Sequence, residues 1–363
     1  MRDTKLIVIF LGLLAFIAVG FVLHILQPIL LPFVVAVFLS RIFGPLNASL
    51  RRRRVPAALS ILLVLVLVSG ALLIFAWGLY SSGQAFTAAL PRYQQRSKEL
   101  LGGIMDWLAA SFPPLHAQIR QWHWQEAIGV SSVTGMVAAM VGSFLLFFND
   151  AFIVLLFLVF LLAGSEGFPH KLRQALRAPG SAERLGAMMQ NIEAGVRRYL
   201  LTKTLINLMA GSLVTALLAA FGVDFPLLWG LLTFVAHYIP SVGAVISVGL
   251  PTIFLFLQFS PGTALLIALL NAALQFLIGN AVEPRIMGSS LDLSPLLVLV
   301  SLIFWGWLWG PWGMVLSVPI TSTIKIVCEN IEPLRPLAVL MSGSLEASKP
   351  QALPAVQAGE TPA

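Results

Sequence analysis

The sequence predicts an all-α integral membrane protein with about six to eight transmembrane helices, and three observations carry that prediction. Apolar residues make up 58% of the 363-residue chain, and Asp, Glu, Lys and Arg together only 10%, an imbalance that no soluble domain needs. Residues 6–40, 55–91, 204–223, 225–282 and 293–324 contain no charged side chain, and 127–165 contain only Asp150. A run of about 20 apolar residues crosses a bilayer as a helix. Finally, the runs are continuous in Leu, Ile, Val, Phe and Ala, without the alternation of a barrel strand. The net charge of +7 sits at the ends of these runs, as a topological bias places it, so a nucleic-acid partner is excluded. The single cysteine, Cys328, rules out an intramolecular disulfide and a cysteine-rich metal site.

The elements follow in order. Arg2 and Lys5 precede a first helix over about 6–26, too long an apolar core for a signal peptide. Gln27-Pro28 turns the chain into a second run, with Pro28 and Pro32 at a helix start, where a missing amide hydrogen costs nothing. Arg41 and Arg51 to Arg54 follow without an acid among them and mark a cytoplasmic loop, a topological role favoured over the alternative of binding anionic lipid or nucleic acid. A third helix starts at about Pro56 and runs to Tyr80. Residues 81–143 then mix Arg92, Arg96, Lys98, Arg120, Glu99, Asp106 and Glu126 with Leu100, Leu101, Ile104, Trp107 and Leu108, the pattern of an amphipathic helix on an outer surface. Trp122-His123-Trp124 reads as an aromatic interface anchor. A fourth helix spans about 144–163. The segment 166–203 has seven Lys or Arg against three Glu and is expected in the cytoplasm, with a helix from Ser181.

Two units of one plan come next. Each has an intact apolar helix, a short link and a broken apolar run. The first is broken in HYIPSVG, at Pro240 and Gly243, and the second in WGWLWGPWG, at Gly310-Pro311. Pieces of roughly 13 to 16 residues are short for full spans, which favours two broken or re-entrant hairpins. Parity then gives them opposite hand, an inverted repeat. The chain divides into N-terminal transmembrane helices (1–80), an extracytoplasmic amphipathic segment (81–143), a transmembrane helix plus cytoplasmic helix (144–203), a transport core with the two hairpins (204–341) and a disordered tail (342–363).

Broken backbone in lipid is tolerated only where protein or a water-lined cavity satisfies its amides, so the breaks and the polar island between them are the candidate site. At the first break stand His237, Tyr238, Pro240, Ser241 and Gly243, with free backbone groups for a polar solute. Glu283 and Arg285 lie between long uncharged runs; one can accept from hydroxyls or carry a proton while the other holds an anion, or both can close a surface loop as a salt bridge. Asn207, Asn271, Gln275 and Asn280 are uncharged polar groups in apolar helices, and Asn207 shares a face with Lys203 and Gly211. Such residues are interhelical glue or line pathways; Asn207, Gln275 and Asn280 are assigned to the site. Trp309 is the candidate stacking residue among Trp305, Trp307, Trp309 and Trp312. There is no GxxxxGK[ST], no HExxH and no hydrolase triad pattern, so neither an enzyme nor a cofactor or metal is expected.

The strings RRYLLTKT (197–204), LLWGLLTFVAHYIPSVG (227–243), GNAVEPRIMG (279–288) and LSPLLVLVSLIFWGWLWGPWGMVLSVPI (293–320) resemble the autoinducer-2 exporter family. The resemblance covers about 6–340. It departs from the family's usual Asn-Tyr-Ile-Pro at His237. It implies a secondary exporter of a small polar signalling solute, autoinducer-2 or a relative, in the bacterial inner membrane, with both termini cytoplasmic. It also implies a homo-oligomer, a pentamer, moving in an elevator-like way, with lipid and the small solute as partners. Two other functions compete. A sodium or lithium/proton antiporter needs a titrating carboxylate, for which Glu283 and Asp224 are the candidates near the core. A non-transporting membrane scaffold would use 81–143 as its partner surface.

Overall fold

A computed structural model describes residues 2–111, 135, 142, 150–164, 181–240, 242–287 and 293–343. Ser241, the Trp122-His123-Trp124 cluster and the tail beyond residue 343 lie outside the described residues. The protein is all-α. The elements are α1 (Arg2–Ile25), α2 (Gln27–Arg52), α3 (Ala57–Ser111), α4 (Asp150–Gly164), α5 (Ser181–Ala220), α6 (Pro226–Ala236), α7 (Val242–Gln258) and α8 (Pro261–Leu277). A π-turn (Ile278–Val282) carries α8 into the short α9 (Glu283–Met287); α10 (Pro295–Asn330) and α11 (Arg335–Met341) complete the chain. An isolated bridge between Leu293 and Ser342 is the only extended pairing among the described residues.

Among the described residues five helices are long and apolar enough to cross a membrane: Gln27–Arg52, Ala57–Ala89, Met188–Ala220, Pro261–Met287 and Pro295–Asn330. The outer faces of these and of the shorter apolar helices show Phe10, Ile74, Trp77, Phe152, Val245 and Trp307, each at least two-thirds exposed, a surface suited to hydrocarbon and costly in water. Two helices are longer than composition suggests. α3 runs straight through Tyr80 and contains Pro91, and α5 joins the basic segment from Ser181 to the apolar run in one 40-residue helix.

α3 holds the two halves of the molecule together. Its first turns pack Val64 and Val68 against Ala36 of α2 and Val154, Leu158 and Leu162 of α4. Higher up, Leu79, Phe86 and Tyr93 enter the core of the second half with Trp229, Leu232, Leu250 and Phe254.

Both broken runs fold back on themselves. In the first, α6 and α7 are the arms: Trp229 meets Phe254 with ring centroids 5.1 Å apart, and a Cβ on Gly243 would lie 2.2 Å from the Ala236 carbonyl oxygen. In the second, α10 has length enough for a single span, but Trp309 (φ −126°, ψ 16°) and Gly310 (φ 64°, ψ −148°) leave the helix. Past that point Trp305 Nε1 donates to Thr321 Oγ1 at 3.3 Å. Sixteen residues along a straight helix would separate them by about 24 Å. Only glycine accepts the positive φ of residue 310 without strain.

The base of the first hairpin is tied to α3. The Tyr93 hydroxyl donates to Asp224 Oδ2 at 2.6 Å, the Asp224 amide donates to Gln258 Oε1 and Gln258 Nε2 donates to the Gly222 carbonyl, both at 2.9 Å. Burial first, then this bond to a carboxylate, pushes the Tyr93 hydroxyl well above the usual phenol range. A phenol raised in the folded state contributes stability that is complete below about pH 10 and lost as pH climbs toward the folded value. The thermal midpoint of the solubilised protein should therefore fall above pH 10. Tyr93→Phe should cost about 1–2 kcal/mol at pH 8 and flatten that alkaline decline, as scanning fluorimetry against pH would measure.

Candidate functional site

The site is built on one face of α5, where Lys203, Asn207, Gly211 and Thr215 recur every four residues and so line up. At Gly211 this face touches α6. A Cβ added to Gly211 would lie 2.6 Å from the Gly230 carbonyl oxygen, and one added to Gly230 would lie 1.8 Å from Thr215 Oγ1. This close crossing brings the α5 face alongside α6, which ends in the break.

There the polar groups gather. His237 Nδ1 lies 3.1 Å from the Thr233 carbonyl oxygen and 3.4 Å from Ser247 Oγ. A carbonyl only accepts, so Nδ1 carries a hydrogen. The Ser247 hydroxyl donates to the Gly243 carbonyl at 2.7 Å, and Asn271 Nδ2 to the Ser247 carbonyl at 3.0 Å. Gln275 of α8 lies beside the imidazole. Yet among the described residues six side-chain atoms here lack a hydrogen-bond partner of good geometry: both amide atoms of Asn207, both of Gln275, whose amide sits beside the His237 ring, Thr233 Oγ1 and Asn271 Oδ1. Their residues are at most 4% exposed. Each such group costs about 1–3 kcal/mol if left unpaired, and native interiors rarely keep several together. What they offer is a set of neutral donors and acceptors carried by α5, α6 and α8.

An ion pair closes one side. Lys203 Nζ donates to Glu283 Oε1; the lysine is buried and the glutamate about one-quarter exposed. Glu283 is placed by the π-turn, whose wider winding shifts the helix face that follows it. The Tyr199 ring lies within electrostatic reach of the same carboxylate. The Tyr238 hydroxyl lies 2.7 Å from Thr204 Oγ1, and His237 is within reach of both members of the pair.

Of the residues expected from sequence, His237, Tyr238, Gly243, Asn207, Gln275 and Glu283 come together, with Pro240 at the tip of the break. Arg285 is exposed; it stands two residues from Glu283, and positions i and i+2 of a helix do not face each other. Asn280 is also exposed and donates to the Phe276 carbonyl of its own helix at 3.0 Å. Trp309 is elsewhere: its Nε1 donates to the Leu23 carbonyl at 3.3 Å, and its ring packs with Leu23, Leu30, Leu31 and Val34 of α1 and α2. Four contributors escaped the sequence reading: Lys203, counted as a cytoplasmic charge, Thr233, Ser247, and Asn271, assigned to glue. The four-residue spacings Lys203–Asn207 and Asn271–Gln275 are the signals that point to them.

Residues 8–332 match the family described as AI-2E family transporter. The chain is 34% identical over 337 residues to the AI-2 transport protein TqsA of Escherichia coli K12, covering 93% of this chain and 95% of that protein. It is 32% identical over 325 residues to the putative transport protein YhhT of the same organism, covering 88% and 89%. It is 31% identical over 326 residues to a putative transport protein of Haemophilus influenzae, covering 88% and 92%.

Proposed function

The chain belongs to the AI-2E transporter family, and on that premise we propose that it is a secondary exporter of a small polar signalling solute, autoinducer-2 or a close chemical relative, across the bacterial inner membrane. The observation that carries the proposal is the cluster of six unpartnered buried polar atoms beside the first break. A neutral solute rich in hydroxyls would give Asn207, Thr233, Asn271 and Gln275 the partners they lack. The relative named for AI-2 transport supplies the cargo class.

In this reading both hairpins are re-entrant. The arms of the first span only about 16 and 25 Å at 1.5 Å per residue, less than the roughly 30 Å hydrocarbon core. The termini face the cytoplasm, with the Arg51–Arg54 turn on the same side, and the protein works as a homo-oligomer, a pentamer by the resemblance. The antiporter alternative loses support because both of its carboxylates are engaged, Glu283 with Lys203 and Asp224 with Tyr93.

The test is export measured as autoinducer-2 uptake into inverted membrane vesicles, with the variants Asn207→Leu and Gln275→Leu. Replacing an unpaired buried amide by an apolar group of similar size is neutral or stabilising. Each variant should therefore keep or raise the thermal midpoint while losing transport about tenfold or more. Wild-type transport in both variants would refute the site, and no uptake by correctly inserted wild-type protein would refute the cargo.

A further inference from the structure

We propose that the end of α1 is a latch on the second hairpin, one that must open each time that hairpin moves in the transport cycle; the proposal rests on the exporter reading above. Two side-chain bonds cross the contact in opposite directions. His24 Nδ1 lies 3.0 Å from the Leu308 carbonyl oxygen and, facing an acceptor, donates to it. Trp309 Nε1 donates to the Leu23 carbonyl at 3.3 Å. The two bonds thus join neighbours in sequence, residues 23 and 24 at the end of α1 and residues 308 and 309 at the hairpin tip. Both carbonyls stand where a helix gives way. Leu23 is in the last turn of α1, where carbonyls have no intrahelical donor, and Leu308 precedes the two residues, Trp309 and Gly310, that leave the helix. In lipid a freed carbonyl needs a partner within the protein. Here each break supplies the donor for the other.

The contact is built to part as a unit. Inside the hairpin the arms meet backbone to backbone: a Cβ on Gly313 would lie 1.8 Å from the Trp305 carbonyl oxygen, so the reversal travels as one body. Its contact with the N-terminal helices is made by side chains instead. Trp305, Leu308 and Trp309 pack against Leu23 of α1 and Leu30, Leu31 and Val34 of α2. The His24 ring stacks on Trp307, with centroids 6.4 Å and planes 20° apart. Such contacts break and re-form without unfolding either side, and one side-chain bond shifts an equilibrium only about fivefold. A tryptophan that merely filled space would not aim its Nε1 at a carbonyl; the reciprocal pair of bonds defines one docked position of the tip. His24 and Trp307 are both exposed, which puts the edge of the contact within reach of a reagent.

The experiment places His24→Cys and Trp307→Cys in the full chain carrying Cys328→Ser, in inverted membrane vesicles, and joins the two thiols with a short, uncharged, reducible bis-thiosulfonate. Link formation is read by mass and needs no cargo. The link should form, cut autoinducer-2 uptake about tenfold or more, and release it again on reduction with dithiothreitol. Each single-cysteine protein should be insensitive to the reagent. Unchanged uptake by the linked protein would overturn the proposal, since the contact would then be static, and so would failure of the thiols to link. A second measurement serves if the cysteine pair does not fold, or if the wild type takes up no autoinducer-2, which would refute the exporter reading rather than the latch. Amide hydrogen exchange over residues 306–313 is compared between purified wild type and Trp309→Phe, which keeps a ring and removes the bond. Exchange should be about fivefold faster in the variant; equal exchange would overturn the latch.

Discussion

Gly313→Ala should abolish the folded protein. The added Cβ would lie 1.8 Å from the Trp305 carbonyl oxygen, 2.6 Å from the Trp305 carbonyl carbon and 3.1 Å from Trp309 Cβ. Two of these are backbone atoms and cannot rotate away, so the arms of the second hairpin must separate. Overpacking at a yielding site costs about 1–3 kcal/mol; here nothing yields, and more than about 3 kcal/mol is expected. Two controls grade the effect. Gly310→Ala meets no atom within 4 Å but must hold φ 64°, a cost of about 1–2 kcal/mol. Gly249→Ala also meets nothing within 4 Å and carries no unusual φ, so it should be neutral or slightly stabilising. Yield and thermal midpoint by fluorescence-detected gel filtration would rank the three. Were Gly313→Ala as stable as Gly249→Ala, the chain reversal at Trp309–Gly310 would be wrong, because a straight helix puts Gly313 about 12 Å from Trp305.

Lys203→Met should remove both stability and transport, and the two losses should be separable. The substitution leaves the Glu283 carboxylate facing Tyr199 and the buried polar cluster without its cation. Breaking a buried pair from one side costs about 3–5 kcal/mol, and the partial exposure of Glu283 places the expectation at the lower end. Adding Glu283→Gln removes the stranded charge, so the double variant should recover most of the lost midpoint. Transport should stay absent in both, because the pair borders the polar cluster and neither Met nor Gln restores a charge there. If the double variant exported at the wild-type rate, the pair would be scaffolding only.

The membrane class and both breaks were legible from the chain alone, for one physical reason. Lipid offers no water to a freed amide, so Pro240 with Gly243 and Gly310 with Pro311 stand out inside apolar runs. His237 and Glu283 were legible because polar groups are expensive at that depth. The partner of Glu283 was not. Lys203 is 80 residues away, and its place in a basic segment made it look like a topological marker until α5 proved continuous through it. Trp309 misled because aromatic rings serve packing as readily as stacking, and local sequence does not say which neighbour fills the other side. The length of α3 was hidden by the polar change after Tyr80 and by Pro91, both of which imitate a helix end.

That length has a mechanical consequence. At 1.5 Å per residue the 55 residues of α3 form a rod of about 82 Å, roughly twice a bilayer with its headgroups. It is seated against α2 and α4 near Val64 and gripped by the first hairpin between Phe75 and Tyr93. Were α3 to turn about its seat near Val64, the displacement would grow along its length. A tilt of about 10° would shift Tyr93 by roughly 8 Å and Ser111 by roughly 12 Å. In such a motion the far end of α3 would be a lever arm for the first hairpin, and a restraint placed on that end would brake the hairpin from well outside the polar cluster.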